Sequence, residues 1–478
     1  MKGIRTFSIL ILLLFGVWIL PAGCGGGGGD SGAPTYGISG TVSGAVTNGV
    51  TIALTGAATT STKTDTSGNY SFSGLANGTY TVTPVLPGYT FTPSSTAATI
   101  SGTNVTGTNF VAAPPSGPNV QSIAVDGGPA APSIFYPNAA FTSVTVCLHG
   151  TTTCQTIGGV LVDTGSFGLR LLSSALSSAM YKTPTSGSNL AECIQFADGS
   201  YVWGPVQTFD VKLAGELASS VPIHVLDPNF YTAPSDCSSG GGQEEDDLFS
   251  LGANGILGVG PIQYDCGSDC NSVASFPAGL VYPYYSCSSS GCQATSVSLS
   301  QQVQNPVALF STDKNGVIIV LPAVSGPTAS LAGLMVFGIG TQPNNALGGA
   351  TVLTLNQYAS ITTTYKGTSM PLSFIDSGSN GNFFPDTSIP LDYYTGWYIP
   401  ATTLNLSATN EGYNGKSTNV SFSVGNADNM FSAYPSFDVF NTLGGYTSGY
   451  FNWGLPFFYG RTVYTSITPD GRGSYLAY

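Results

Sequence analysis

Two short segments constrain this chain more than any other feature: Val160-Leu161-Val162-Asp163-Thr164-Gly165-Ser166 and Leu372-Ser373-Phe374-Ile375-Asp376-Ser377-Gly378-Ser379. Each is a mostly apolar, β-prone run that delivers an Asp into a tight turn of hydroxyl residues and Gly. An Asp at such a junction presents its oxygens to the N–H groups and hydroxyls of the turn. Gly165 and Gly378 permit close backbone approach, and Thr164 and Ser377 are placed to cross-bond beneath the turns. If the two turns face each other, their carboxylates share a site. Both cannot ionise cheaply, so the pair holds one proton. One Asp is then a base that activates water, and the other an acid that protonates a carbonyl oxygen. The competing reading is plain turn chemistry in a chain rich in Gly, Ser and Thr, which is how Asp65-Thr66-Ser67-Gly68 is read.

Each Asp segment is followed at a comparable interval by an apolar-Gly-apolar strand. Gly258 of Ile256-Leu257-Gly258-Val259-Gly260 lies 95 positions after Asp163, and Gly454 of Asn452-Trp453-Gly454-Leu455 lies 78 after Asp376. In this order of motifs residues 119–478 resemble the pepsin-like aspartic peptidases. More closely they resemble an uncharacterised family of bacterial secreted chains and lipoproteins with the same paired turns. The resemblance implies two lobes, a catalytic pair Asp163 and Asp376, and carboxylates hydrogen-bonded by Ser166 and Ser379. It also implies Gly258 and Gly454 beside the two turns. A flap hairpin is expected at Gln195-Phe196-Ala197-Asp198-Gly199-Ser200-Tyr201, with Phe196 where the family carries a Tyr. Tyr201 and Trp203 are the candidate substitutes, and Asp198 belongs to the same candidate flap. Arg170 aligns where the family carries a Trp.

Composition agrees with an all-β chain. Only 7% of residues are charged, against about a quarter in ordinary globular proteins. Thr, Val, Tyr and Gly are abundant, helical periodicity is missing, and turn residues recur between short apolar runs. The net charge of −13 reflects scarce bases, and the 11 Lys and Arg form no stripe for nucleic acid. Residues 35–113 alternate apolar and polar positions between turns, as in Asn69-Tyr70-Ser71-Phe72 and Thr79-Tyr80-Thr81-Val82. That unit resembles the carboxypeptidase-regulatory-like or Cna-B-like sandwich modules. Residues 114–118 are a linker, 119–305 a first lobe and 306–478 a second.

At the start, Lys2 and Arg5 precede an apolar run from Phe7 to Leu20, which reads as an export signal over residues 1–24. Leu20-Pro21-Ala22-Gly23-Cys24 resembles a bacterial lipoprotein cleavage box, with Cys24 as the lipidated residue and the Gly-rich residues 25–34 as a tether. The alternative is an ordinary cleaved signal with an incidental Cys. The eight remaining cysteines suit disulfides in an exported chain. Local pairs Cys147–Cys154, Cys266–Cys270 and Cys287–Cys292 leave Cys193–Cys237, although spacing alone does not fix the connectivity. Glu244-Glu245-Asp246-Asp247 reads as a solvated loop.

The sequence therefore points to an all-β protein of the cell envelope, lipid-anchored or secreted. It has a small N-terminal β-sandwich and a two-lobed pepsin-like β domain. The expected function is endopeptidase action by a monomer on extended polypeptide in the interlobe cleft, with no cofactor and no metal. The alternative is an inactive peptidase-like fold used as a surface binding or structural module. A donor at Tyr201 or Trp203 favours the enzyme, and a flap lined only by Phe196 favours binding.

Overall fold

The computed structural model describes residues 34–113, 115–187, 189–277 and 280–478. The expected export segment and Cys24 lie outside the described residues. Among the described residues the α-helices are two short ones, Leu248–Leu251 and Ala427–Ala433, and almost everything else that is regular is strand. No described helix is long and apolar enough to cross a membrane.

The N-terminal unit packs two four-stranded sheets face to face. Alternation of buried and exposed positions builds its core. Asn69–Leu75 buries Tyr70, Phe72 and Leu75, and Gly78–Val85 buries Tyr80, Val82 and Pro84, while the intervening residues face water. The unit meets the main body across a cavity of about 370 Å³, lined by Thr51, Lys63 and Val85 on one side and Leu347, Arg461 and Tyr478 on the other. Neither Asp turn lines it.

The body consists of one 15-stranded and one 7-stranded sheet. The long sheet joins the two lobes, because Val120–Val125 pairs antiparallel with Leu331–Phe337. Both lobes then repeat one local plan. In the first, Cys154–Asp163 runs parallel to Gly255–Val259, setting Asp163 opposite Gly258, and Phe167–Leu172 pairs antiparallel on the other side of Gly255–Val259. In the second, Thr368–Ile375 runs parallel to Asn452–Trp453, and Asn382–Phe384 pairs antiparallel with Asn452. Strand neighbours cover both edges of Gly255–Val259, and apolar clusters cover both faces, with Leu257 and Val259 in one and Ile256 in the other, so it is buried at every position.

Disulfides join Cys147–Cys154, Cys193–Cys237, Cys266–Cys270 and Cys287–Cys292, all in the first lobe. The 193–237 bridge closes the longest loop, with a separation of 44. Loop-closure entropy assigns it about 4 kcal/mol, against about 2 kcal/mol for the shortest. Replacing Cys193 and Cys237 together by Ser is expected to lower unfolding free energy about twice as much as replacing Cys266 and Cys270, as read from urea denaturation.

Candidate active site

The two Asp turns meet at the junction of the lobes, and backbone chemistry holds them there. Thr164 N–H donates to Ser377 Oγ at 3.1 Å, and Ser377 N–H donates to Thr164 Oγ1 at 2.9 Å. Thr164 Oγ1 donates to Ile375 O at 3.1 Å, and Ser377 Oγ to Val162 O at 2.7 Å. Each hydroxyl thus bonds the strand and the turn of the opposite lobe. The glycines complete the approach. A Cβ on Gly165 would stand 2.6 Å from the carboxyl carbon of Asp376, and a Cβ on Gly378 would meet Asp163 Oδ1 at 2.6 Å. Neither position accepts any side chain.

The carboxyls have matching partners. Gly165 N–H donates to Asp163 Oδ1 at 2.7 Å, and Ser166 Oγ donates to Asp163 Oδ2. Gly378 N–H donates to Asp376 Oδ1 at 2.8 Å, and Ser379 Oγ to Asp376 Oδ2 at 2.6 Å. Beneath the turns, a Cβ on Gly258 would strike Phe167 N at 2.7 Å, and one on Gly454 would strike Gly381 O at 2.1 Å. Asn452 adds a brace in the second lobe alone, donating from Nδ2 to Ser379 Oγ at 2.7 Å.

Environment separates this pair from ordinary turn chemistry. Asp65 accepts from Ser67 and Asn69 N–H groups in the open, and those bonds hold its pKa below the usual carboxylate range. Asp163 has similar local bonds, but burial, then the Asp376 charge and a hydrogen bond to Asp376, push its pKa well above that range.

The candidate flap is the hairpin of Asn189–Gln195 and Tyr201–Leu213. Its tip is laced down: Gly242 N–H donates to Gly199 O, Tyr201 N–H to Gln243 O and Glu245 N–H to Tyr201 O. Two of the candidate substrate groups are committed elsewhere. Trp203 is 2% exposed and donates its indole N–H to Tyr231 O at 2.6 Å, so it is a core residue and not a flap donor. Tyr201 donates its hydroxyl to Glu244 at 3.1 Å. Asp198 accepts from Ser200 within the tip. Phe196 is half-buried against an apolar cluster. The acidic run is likewise no solvated loop. It packs along the hairpin, and Glu245 has its pKa pushed up to about 7 by burial and by Asp198. Asp247 ends the run as the N-cap of Leu248–Leu251.

At the position aligned with a family Trp, Arg170 is buried and donates to Phe167 O at 2.6 Å. Its guanidinium lies 3.4 Å from Glu192 and 3.8 Å from Asp265, with His224 2.9 Å from Glu192.

Sequence reasoning missed the connection 126–139. Asn138 is fully buried and left-handed (φ +54°). Its side chain donates to Asn380 O and Phe440 O, both at 2.8 Å, and accepts from Tyr459 Oη at 2.7 Å. Phe135 stacks edge-on against Phe431 at 5.0 Å. A segment that leaves and re-enters first-lobe strands is thus docked on the second lobe. Between these anchors Tyr136 is half-buried. Burial first, then the charges of Glu245, Asp163, Asp376 and Asp198, push its pKa well above the ordinary phenol value. A visible signal was the bulky apolar run Ile134-Phe135-Tyr136 inside an otherwise Gly- and Pro-rich connection.

Ser377→Ala leaves the buried Thr164 N–H without its acceptor and is expected to cost about 1–3 kcal/mol in chemical denaturation. For Glu245, the folded pKa stands above the unfolded one, so its contribution is full below the unfolded value of 4.5 and is lost as pH rises to about 7. Glu245→Gln is therefore expected to flatten the dependence of Tm on pH over that window and to raise Tm at neutral pH, by at most about 3 kcal/mol in free energy.

No curated protein matches the chain. Among solved structures, the aspartic proteinase from Irpex lacteus aligns with a TM-score of 0.43 at 16% identity, covering 75% of this chain and 96% of that one. Residues 37–114 match the SdrD B-like domain. Residues 115–478 match the family described as "Protein of unknown function (DUF3443)", and the chain belongs to that family.

Proposed function

We propose that the protein is an aspartic endopeptidase acting on extended polypeptide in the interlobe cleft. The observation that carries this reading is the pair of carboxyls brought together by a cross-lobe hydroxyl grip, each with the same N–H and Ser hydroxyl partners. Such a pair holds one proton. Burial beside Asp376 keeps that proton on Asp163. Asp376 then takes a proton from water as the oxygen attacks the peptide carbonyl carbon, and Asp163 gives its proton to the carbonyl oxygen. Collapse of the resulting diol breaks the C–N bond as the proton passes to the leaving nitrogen. We further propose an exported protein of the cell envelope, anchored through Cys24. The four disulfides support export, because such bonds persist in oxidising compartments.

The second reading is a binding module without catalysis. Its support is specific: the hairpin tip presents Phe196, while the polar atoms of Tyr201 and Trp203 already have partners. The two readings separate in one experiment, digestion of a peptide library by purified protein from acid to neutral pH, with and without pepstatin. Pepstatin-sensitive cleavage is expected, with activity falling as pH rises through the elevated pKa of Asp163, where the pair loses its shared proton. Asp163→Asn and Asp376→Asn should each abolish turnover while leaving the fold intact. A raised acid pKa contributes stability below the unfolded value and loses it as pH rises. Asp163→Asn should accordingly be the more stable protein at neutral pH, with the difference vanishing in acid. Cleavage that survives either substitution would locate the chemistry elsewhere, and no cleavage at any pH would leave the binding module.

A further inference from the structure

The strand pattern around Asp163 defines two faces. Val160 and Val162 point into the main core with Leu257 and Val259. Leu161 and Asp163 point the other way, as do Ile256 and Gly258 across the parallel pairing. On that second face Leu161 and Ile256 belong to a separate small cluster with Phe141, Leu172, Leu251 and Ala253. An apolar patch therefore lies on the carboxyl side of the sheet, one residue pair along from the dyad.

Tyr136 roofs this patch, packed against it together with Phe196 and Leu248. The ring sits so close to the helix end at Gly252 that a Cβ there would lie 2.8 Å from Tyr136 Cδ1, and Gly252 is also left-handed (φ +70°). The ring is held from the far side, since Phe135 and Asn138 on either side of it are fixed to the second lobe. Its phenol lies within electrostatic range of both dyad carboxyls. No hydrogen bond ties its hydroxyl among the described residues.

We propose that Tyr136 is a specificity-determining residue, filling the apolar pocket beside the dyad so that a bound peptide must place a small side chain next to the scissile bond. This rests on the hydrolytic reading of the dyad. A peptide laid over Asp163 and Asp376 brings a side chain over Leu161 and Ile256, and Tyr136 already occupies that space from a segment docked on both lobes. The pocket walls are apolar, so shrinking the roof exchanges a phenol for substrate carbon. The substrate class is therefore polypeptide with Gly, Ala or Ser flanking the cleaved bond.

The test compares full-chain protein with Tyr136→Phe, Tyr136→Val and Tyr136→Ala. Cleavage of paired peptides with Ala or Leu beside the scissile bond gives the preference, and calorimetry gives the affinity for pepstatin, whose side chains are branched and apolar. Tyr136→Ala is expected to raise kcat/KM for the Leu peptide relative to the Ala peptide at least tenfold, and pepstatin affinity likewise. Tyr136→Val should give an intermediate change and Tyr136→Phe none. Should the Ala variant fold poorly, the Val variant carries the same comparison. A fixed preference and fixed affinity across the series would overturn the proposal. Gain of pepstatin affinity in a series that never cleaves peptide would uphold the pocket and remove the hydrolytic reading instead.

Discussion

Everything at the dyad depends on the exchange of hydrogen bonds between Thr164 and Ser377. Two carboxylates about 4 Å apart repel by roughly 4 kcal/mol at an effective dielectric of 20, so the acids themselves do not assemble the site. Four grip bonds at about 1 kcal/mol each are of the same size. A shared proton then removes most of what they oppose. Because the bonds run from side chain to backbone across the lobes, they fix backbone positions directly, and the glycines at 165 and 378 let each turn touch the opposing acid. The lobes are thereby coupled at the site itself as well as through the strand pairing of Val120–Val125 with Leu331–Phe337.

A second constraint lies behind the first turn. Arg170 follows Asp163 on the next strand and bonds Phe167 O, which tethers the exit of the turn. Its guanidinium faces Glu192 on the hairpin and Asp265 on a later loop. This is one cation among several acidic and basic groups, and the groups adjust. Burial and the Glu192 charge push Asp265 well above its ordinary range, while burial and Arg170 push His224 well below its own. Neutral partners spare the interior the cost of further isolated charge, which a bare buried ion would impose at several kcal/mol. The result is a buried polar joint connecting the Asp163 turn to the hairpin that carries Phe196.

The sequence was most legible where local pattern and tertiary role coincide. The Asp turns needed Gly for contact and hydroxyls for the grip, and both requirements are written within four residues. Strand alternation revealed the sandwich in the same way, and short Cys spacings foreshadowed three of the four bridges, leaving Cys193 and Cys237 as the remaining pair. Long-range partners were illegible. Nothing local to Tyr201 or Trp203 reveals that Glu244 and Tyr231 O take their polar atoms. The acidic run looked solvated because its burial comes from a hairpin forty residues earlier. Only the fold shows that the Asn138 amide satisfies backbone groups of the other lobe.

The two lobes reach rigidity by different means, and the difference bears on how the cleft works. The second lobe relies on packed aromatics: Trp453 stacks on Phe451 at 4.0 Å, Phe451 on Phe384 at 4.9 Å, and the indole N–H is satisfied by Asn410. Such a core packs densely and directly supports the strand that meets Ile375. The first lobe holds all four disulfides, the laced hairpin and the acidic run. The Cys193–Cys237 bridge closes a separation of 44, while the other three staple turns with separations of 4 to 7. The first-lobe hairpin and its neighbouring loops are thereby fixed by crosslinks and backbone bonds. On the other side, the floor bearing Asp376 is held by core packing. On the proposed reading, a peptide entering between them would meet a site whose shape is set before it arrives, with its selectivity set by which pockets the chain itself already fills.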